Sequence, residues 1–213
     1  MAYTFSKALD DSSNFNDYMN FSNYRLSRGL SNFDVTHNFV ASYNWAIPFD
    51  RAFSGLPKRL TRGWTVNGIT RFTTGFPIAI RQGRGDISLT GSNADQPDRV
   101  GPVVIVDPRK LDADGGNRYF LPDAFAKNTV LGTFGNSSRR FFHGPGIINT
   151  DFSMSKRTQI TESMAFEVRA EFFNAFNHTQ FYNPSGNISS SRFGLVSDSR
   201  DARIGQISAK FYW

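Results

Sequence analysis

The sequence predicts an all-β fold, an antiparallel transmembrane β-barrel segment of about six strands with long loops, on three observations. Residues 203–213 alternate strictly. Gly205, Ile207, Ala209, Phe211 and Trp213 form one face, and Gln206, Ser208, Lys210 and Tyr212 the other. A strand with one apolar face, one polar face and interfacial aromatics at its end suits a membrane barrel. Five further segments show the same period of two, near 2–9, 36–47, 63–81, 147–157 and 163–174. The connections then run long, short, long, short, long, with long loops at 10–35, 82–146 and 175–202. Outer-membrane barrels have this asymmetry, with long loops outside and short turns on the periplasmic side.

Each element follows from its residues. In the first segment Tyr3, Phe5 and Leu9 share a face. In the second, Phe39, Ala41, Tyr43, Trp45 and Ile47 alternate with Asn38, Val40, Ser42, Asn44 and Ala46. The third sets Trp64, Val66, Thr70, Phe72 and Phe76 against Thr65, Asn67, Arg71 and Thr73. The fourth sets Ile148, Thr150, Phe152 and Met154 against Asn149, Asp151, Ser153 and Ser155. The fifth is the clearest: Met164, Phe166, Val168, Ala170 and Phe172 face one way, Glu167, Arg169 and Glu171 the other. Wound as a helix, the charges would scatter among the apolar residues. The segment 82–146, rich in Gly, Asp, Asn and Pro, reads as an ordered surface cap containing a short strand at 102–108.

Composition narrows the function. No run of about 18 apolar residues exists, which excludes a transmembrane helix. The mean hydropathy of −0.40 does not exclude a barrel, whose alternating strands average near neutral. Cysteine is absent, so disulfides and thiolate metal sites are out. The net charge of +6 is spread without a cluster of five or more Lys/Arg, which argues against nucleic acid as a partner. Residues 1–7 show no signal-peptide pattern. Six strands also fall short of the usual minimum of about eight for a closed barrel. The expectation is therefore the C-terminal piece of a longer chain, whose other strands complete the wall.

Several stretches resemble the TonB-dependent receptors of the Oar-like, acidobacterial type. They are Tyr3-Thr-Phe-Ser-Lys-Ala-Leu-Asp-Asp-Ser-Ser13, the run 118–125 with Gly132-Thr-Phe-Gly-Asn136, and Gly144-Pro-Gly146 leading into 149–153. The most specific is Glu167-Val-Arg-Ala-Glu-Phe-Phe-Asn-Ala-Phe-Asn-His-Thr-Gln-Phe181. The resemblance spans about residues 2–213 and matches the C-terminal end of such a receptor. It implies a plugged barrel of about 22 strands, in the Gram-negative outer membrane, importing a scarce small molecule or glycan with energy from an inner-membrane complex. The loops would be extracellular and the C-terminus periplasmic. No residue here matches the plug domain or the N-terminal TonB-contact segment. Gln206, Phe211 and Trp213 resemble the signal read by the barrel assembly machinery, with Ser208 where glycine is common.

The expected chemistry is binding and passage, with no catalysis and no cofactor. Tyr119, Phe120, Phe134, Arg139, Arg140, Phe141 and Phe142, in the longest loop, are candidate ligand contacts, because aromatics and Arg give large contact area and directed donors. Packing of the loop on itself is the competing use. Glu167, Arg169 and Glu171 are expected to face the lumen. Residues i and i+4 on a strand sit about 13 Å apart, too far for a glycosidase carboxylate pair. Phe166, Val168, Phe172, Ile207 and Phe211 are expected to face lipid, with Val168→Arg a mid-membrane insult. Asp10, Asp11, Asn14, Asn16 and Asp17 form an oxygen-rich cluster without EF-hand spacing, either a calcium site or a solvated loop. His37, His143 and His178 have no partner at ligand spacing and read as loop residues. Arg84-Gly-Asp86 reads as a chance tripeptide. No serine sits in a nucleophile elbow. Two alternatives remain: a soluble or surface-exposed β-rich binding module, and a passive porin-type barrel.

Overall fold

The computed structural model describes residues 1–14, 17, 19–83, 85–91, 95–113 and 115–213. Six strands form one antiparallel sheet: β1 (Ala2–Phe5), β2 (His37–Ile47), β3 (Trp64–Thr73), β4 (Ile147–Gln159), β5 (Ala165–Phe173) and β6 (Ile204–Tyr212). Each pairs with its neighbours in sequence, an up-and-down meander whose edges are β1 and β6. The sheet does not close on itself.

Because opposed residues of an antiparallel pair share a face, the register sorts the wall into two sides. Rows two residues apart climb the apolar side. They begin at Thr158–Phe166–Phe211 and pass through Ile47–Trp64–Lys156–Val168–Ala209 and Trp45–Val66–Met154–Ala170–Ile207. Above these come Tyr43–Gly68–Phe152–Phe172–Gly205, Ala41–Thr70–Thr150 and Tyr3–Phe39–Phe72–Ile148. At about 3.4 Å per residue this band runs about 34 Å along the strands. Tilted by about 40°, it stands about 25 Å tall, the apolar height of outer-membrane barrels.

Large apolar side chains stand open on the apolar side, while on the polar side Glu167 is shielded and Asn44, Gln206 and Lys210 are exposed. Trp45 is 60% exposed, Ile207 80% and Trp213 89%, whereas the Glu167 side chain is 11% exposed. Two glycines on the apolar side take an aromatic ring across the strand: Tyr43 lies over Gly68 and Phe172 over Gly205, where a Cβ would meet the ring. Such rescue restores the packing a glycine lacks in a strand.

Val168 proves not to be mid-wall. It lies beside Lys156 in the row nearest but one to the short turns, and Lys156 Nζ reaches out of that row to the carbonyls of Arg59 and Arg62. The middle of the band is the Met154–Ala170–Ile207 row and the one above it.

The molecule's hydrophobic core lies outside the sheet. Ile78, Ile80, Phe120, Ala124, Phe125 and Phe193 form it, with Val103, Tyr119, Phe141, Phe142 and Ile188 packed against them. All come from the connections β3–β4 and β5–β6, which with β1–β2 emerge at one end of the wall and build a cap. Two-residue ladders stitch the cap together: Leu9–Asp10 with Gly29–Leu30, Asp98–Arg99 with Phe125–Ala126, and Asn117–Arg118 with Leu195–Val196.

These contacts correct several sequence expectations. The first strand stops at Phe5, because Leu9–Asp10 is drawn into the cap. The third ends at Thr73, not 81. Pro77 has no N–H for a ladder, and Ile78 and Ile80 donate instead to Phe142 (3.1 Å) and Arg139 (3.2 Å). The segment 102–108 holds only a single bridge, Ile105 to Phe120. At the opposite end, residues 160–164 close β4–β5. The β2–β3 link carries two short helices, Phe49–Ala52 and Lys58–Thr61.

Candidate functional site

Two surfaces could meet a solute: the polar face of the wall and the cap above it. On the wall, Arg169 is clasped by both neighbours of its own face, Glu167 at 3.1 Å and Glu171 at 3.5 Å. The strands alongside add charge and polar groups to the same rows, the cations Arg157 and Lys210 opposite Glu167 and the hydroxyls Ser155 and Ser208 opposite Arg169. Tyr212 donates to Glu167 at 3.3 Å beneath the Arg157 guanidinium, and Gln206 donates to Glu171. Both carboxylates thus accept from donors on β5 and β6, a connected polar network along this face of the wall. A groove of about 500 Å³ lies against the wall, lined by Ser42, Asn44, Asn67, Asp151, Ser153 and Glu171 together with Tyr43, Gly68, Ile69, Phe152, Phe172 and Phe173. Asn44 donates to Asn67 across the strand pair.

The cap uses most of the residues expected to contact ligand for its own packing. Phe120 is fully buried, its ring 5.1 Å from Phe193 and 5.5 Å from Phe142. Phe141 lies against Phe142 and Phe125, with the Arg99 guanidinium 4.7 Å over its ring. Tyr119 donates to the His143 carbonyl at 3.1 Å, and burial pushes its phenol up from the ordinary value. Phe134 is half-buried.

Arg139 and Arg140 are both buried. Arg140 clamps Asp17 with two bonds (2.7 and 2.8 Å), while Arg139 reaches Asp17 at 2.8 Å and also Asp10. Phe120, Arg139 and Arg140 are thereby corrected from ligand contacts to structural members of the cap. The clamp equally corrects the calcium reading: two guanidiniums supply the positive charge that Asp10 and Asp17 need. Asn16 of that cluster, and Arg84 of the tripeptide, lie outside the described residues. Asp86 turns into its own loop, accepting from Thr90 and Gly91.

The three histidines make separate side-chain contacts, though His37 and His178 line one pocket of about 490 Å³ with Arg109 and Tyr119. His37 Nδ1 lies 2.9 Å from the Tyr3 hydroxyl, and His178 Nε2 3.2 Å from Arg109. His143 Nε2 meets both Asp34 (2.8 Å) and Thr36 (3.3 Å). Because both partners share one nitrogen, the ring does not relay between them as in a nucleophile triad. Sequence reasoning passed over Asp34, which is 1% exposed and accepts from Ala8 N–H at 2.6 Å, and Asp95, which takes three donors from residues 87–88. A short polar residue among turn formers gives no local sign of burial. Asn174 and Asn177 adopt left-handed φ of 51°, which asparagine tolerates, so the Asn-Ala-Phe-Asn run is a turn rather than a binding motif.

Burial would push Asp10, Asp17 and Asp34 up, but the donors around them outweigh it and hold all three below the usual carboxylate range. Depressed carboxylates stabilise the fold above their unfolded value of about 3.9 and lose that stabilisation as pH falls through the lower folded value. The cap is therefore expected to hold at neutral pH and to loosen below about pH 4. Hydrogen exchange at residues 8–13 and 137–143 across pH 3–7 reads this directly. Protection unchanged to pH 3 would contradict it.

A family model described as outer membrane beta barrel domain matches residues 1–206. Searches of curated proteins and of solved structures returned no match.

Proposed function

We propose, from the premise that this chain belongs to the outer membrane beta barrel domain family, that it is the C-terminal wall and extracellular loops of a TonB-dependent receptor. It binds and imports a scarce small molecule or glycan and is not an enzyme. The observation that carries this reading is the segregation of the molecule. One face of the wall is apolar over a membrane's height, the other is polar, and every long loop gathers at one end into a packed cap. In this reading the cap is extracellular and Trp213 sits at the periplasmic rim. The apolar face meets outer-membrane lipid, while Glu167, Arg169 and Glu171 meet water or a plug. Gln206, Phe211 and Trp213 engage the barrel assembly machinery. Coupling to the inner-membrane complex runs through plug and barrel strands that complete the sheet beyond β1 and β6, since open edges in hydrocarbon cost several kcal/mol per unsatisfied group.

Trypsin added to intact cells is expected to cut at exposed cap sites such as Lys110 and Lys127, and to spare Lys58 and Arg59 in the opposite turn. Cleavage only at Lys58 and Arg59 would invert the orientation. A passive porin is the second reading, favoured by the charged row of Glu167, Arg169 and Glu171 on the polar side of the wall. Planar bilayers in KCl separate the two: a plugged receptor shows no steady conductance, and a stable ohmic pore would mean a porin.

A further inference from the structure

The β2–β3 turn, residues 48–62, is larger than a reversal needs, and what it displays is unlike the rest of the short-turn end. Phe53 and Leu56 are each 53% exposed and Leu60 63%. Interleaved with them are the exposed cations Arg51, Lys58, Arg59 and Arg62 against a single acid, Asp50, which pairs with Arg62 at 3.0 Å. The turn is also aimed. Trp64 belongs to the apolar side of the wall, and Phe49 packs edge-on against its ring at 6.0 Å, with Phe53 next to Phe49. Trp64 Nε1 donates to the Leu60 carbonyl at 2.8 Å. Lys156, on the same side, donates to the carbonyls of Arg59 and Arg62 and lies 5.9 Å over the Trp64 ring. Tethers to Trp64 and Lys156 join the turn to the membrane-facing side of the rim.

We propose that this turn is a lipid-binding foot. Phe53, Leu56 and Leu60 enter the interface of the adjoining leaflet, and Arg51, Lys58 and Arg59 bind the phosphates of anionic phospholipid. The inference rests on the barrel reading above. Two arguments select lipid as the occupant. The turn joins the apolar face at Trp64, through the Phe49 and Phe53 rings and the Leu60 carbonyl, and the unpaired charge is positive beside a surface that carries phosphate. Apolar side chains flanked by cations on a structure lying at the interface bind anionic bilayers by this combination.

The test uses the complete barrel folded into vesicles of phosphatidylcholine and phosphatidylglycerol in equal parts, with bound lipid counted by native mass spectrometry. The wild type is expected to retain phosphatidylglycerol over phosphatidylcholine by about fivefold or more, a gain typical of one basic residue at an anionic surface. The variant R51Q/K58Q/R59Q is expected to retain the two equally, and R51K/R59K to behave as wild type. If the neutralised variant fails to fold, the wild type in about 0.5 M salt, where screening shortens to a few Å, should lose the same preference. Retention in proportion to vesicle composition by a folded wild type, or an undiminished preference after neutralisation, overturns the foot and leaves the barrel standing. A wild type with no heat-modifiable band overturns both.

Discussion

Ile207→Arg is expected to destabilise the membrane-inserted barrel by roughly 2–4 kcal/mol, the cost of an arginine facing lipid at the bilayer midplane. Ile207 lies in the Trp45–Val66–Met154–Ala170 row, at mid-height of the apolar band, and is 80% exposed. That exposure makes the substitution a sharp discriminator. On a soluble module an arginine at so open a position would change stability by about 0.5 kcal/mol or less. Urea titration of vesicle-folded protein, followed by the heat-modifiable band, measures the difference. A change within that smaller range would favour the soluble alternative.

Asp17→Asn carries the second large effect, confined to the cap. It leaves the buried guanidiniums of Arg139 and Arg140 without the carboxylate that receives three of their bonds. Breaking a buried ion pair from one side costs about 3–5 kcal/mol. The expected result is loss of hydrogen-exchange protection at 8–13 and 137–142, with β2–β5 protected as before. Asp17→Glu should recover part of it. Equal loss in wall and cap would mean that the two fold as one unit.

The wall was legible in the sequence because its information is local. Alternation through Phe166–Phe172 assigns each side chain to a face, and the strand-five charges fall on one side whatever the partner strands do. Where alternation ran on past the true end, partners distant in sequence decided the matter. Phe76 keeps the rhythm, but β3 ends at Thr73, and residues 76–80 pair with 139–144 of the cap instead.

The cap was not legible, because its determinants join distant positions. Nothing near Arg139 indicates that Asp10, 129 residues away, will accept its hydrogen bond. The composition that suggested ligand contact, aromatics and arginines in a long loop, is also what a small loop-built core requires. Phe120 with Phe125, Phe142 and Phe193 is that core.

The absence of cysteine makes the most direct measurement simple. Single cysteines placed in turn at 205 to 211 of the vesicle-folded barrel can be treated with a water-soluble maleimide and, separately, with a membrane-confined one. Positions 206, 208 and 210 are predicted to react with the soluble reagent, and 205, 207, 209 and 211 with the lipophilic one. Uniform reaction with the soluble reagent along all of β6 would contradict a wall with one face in lipid and the other in water.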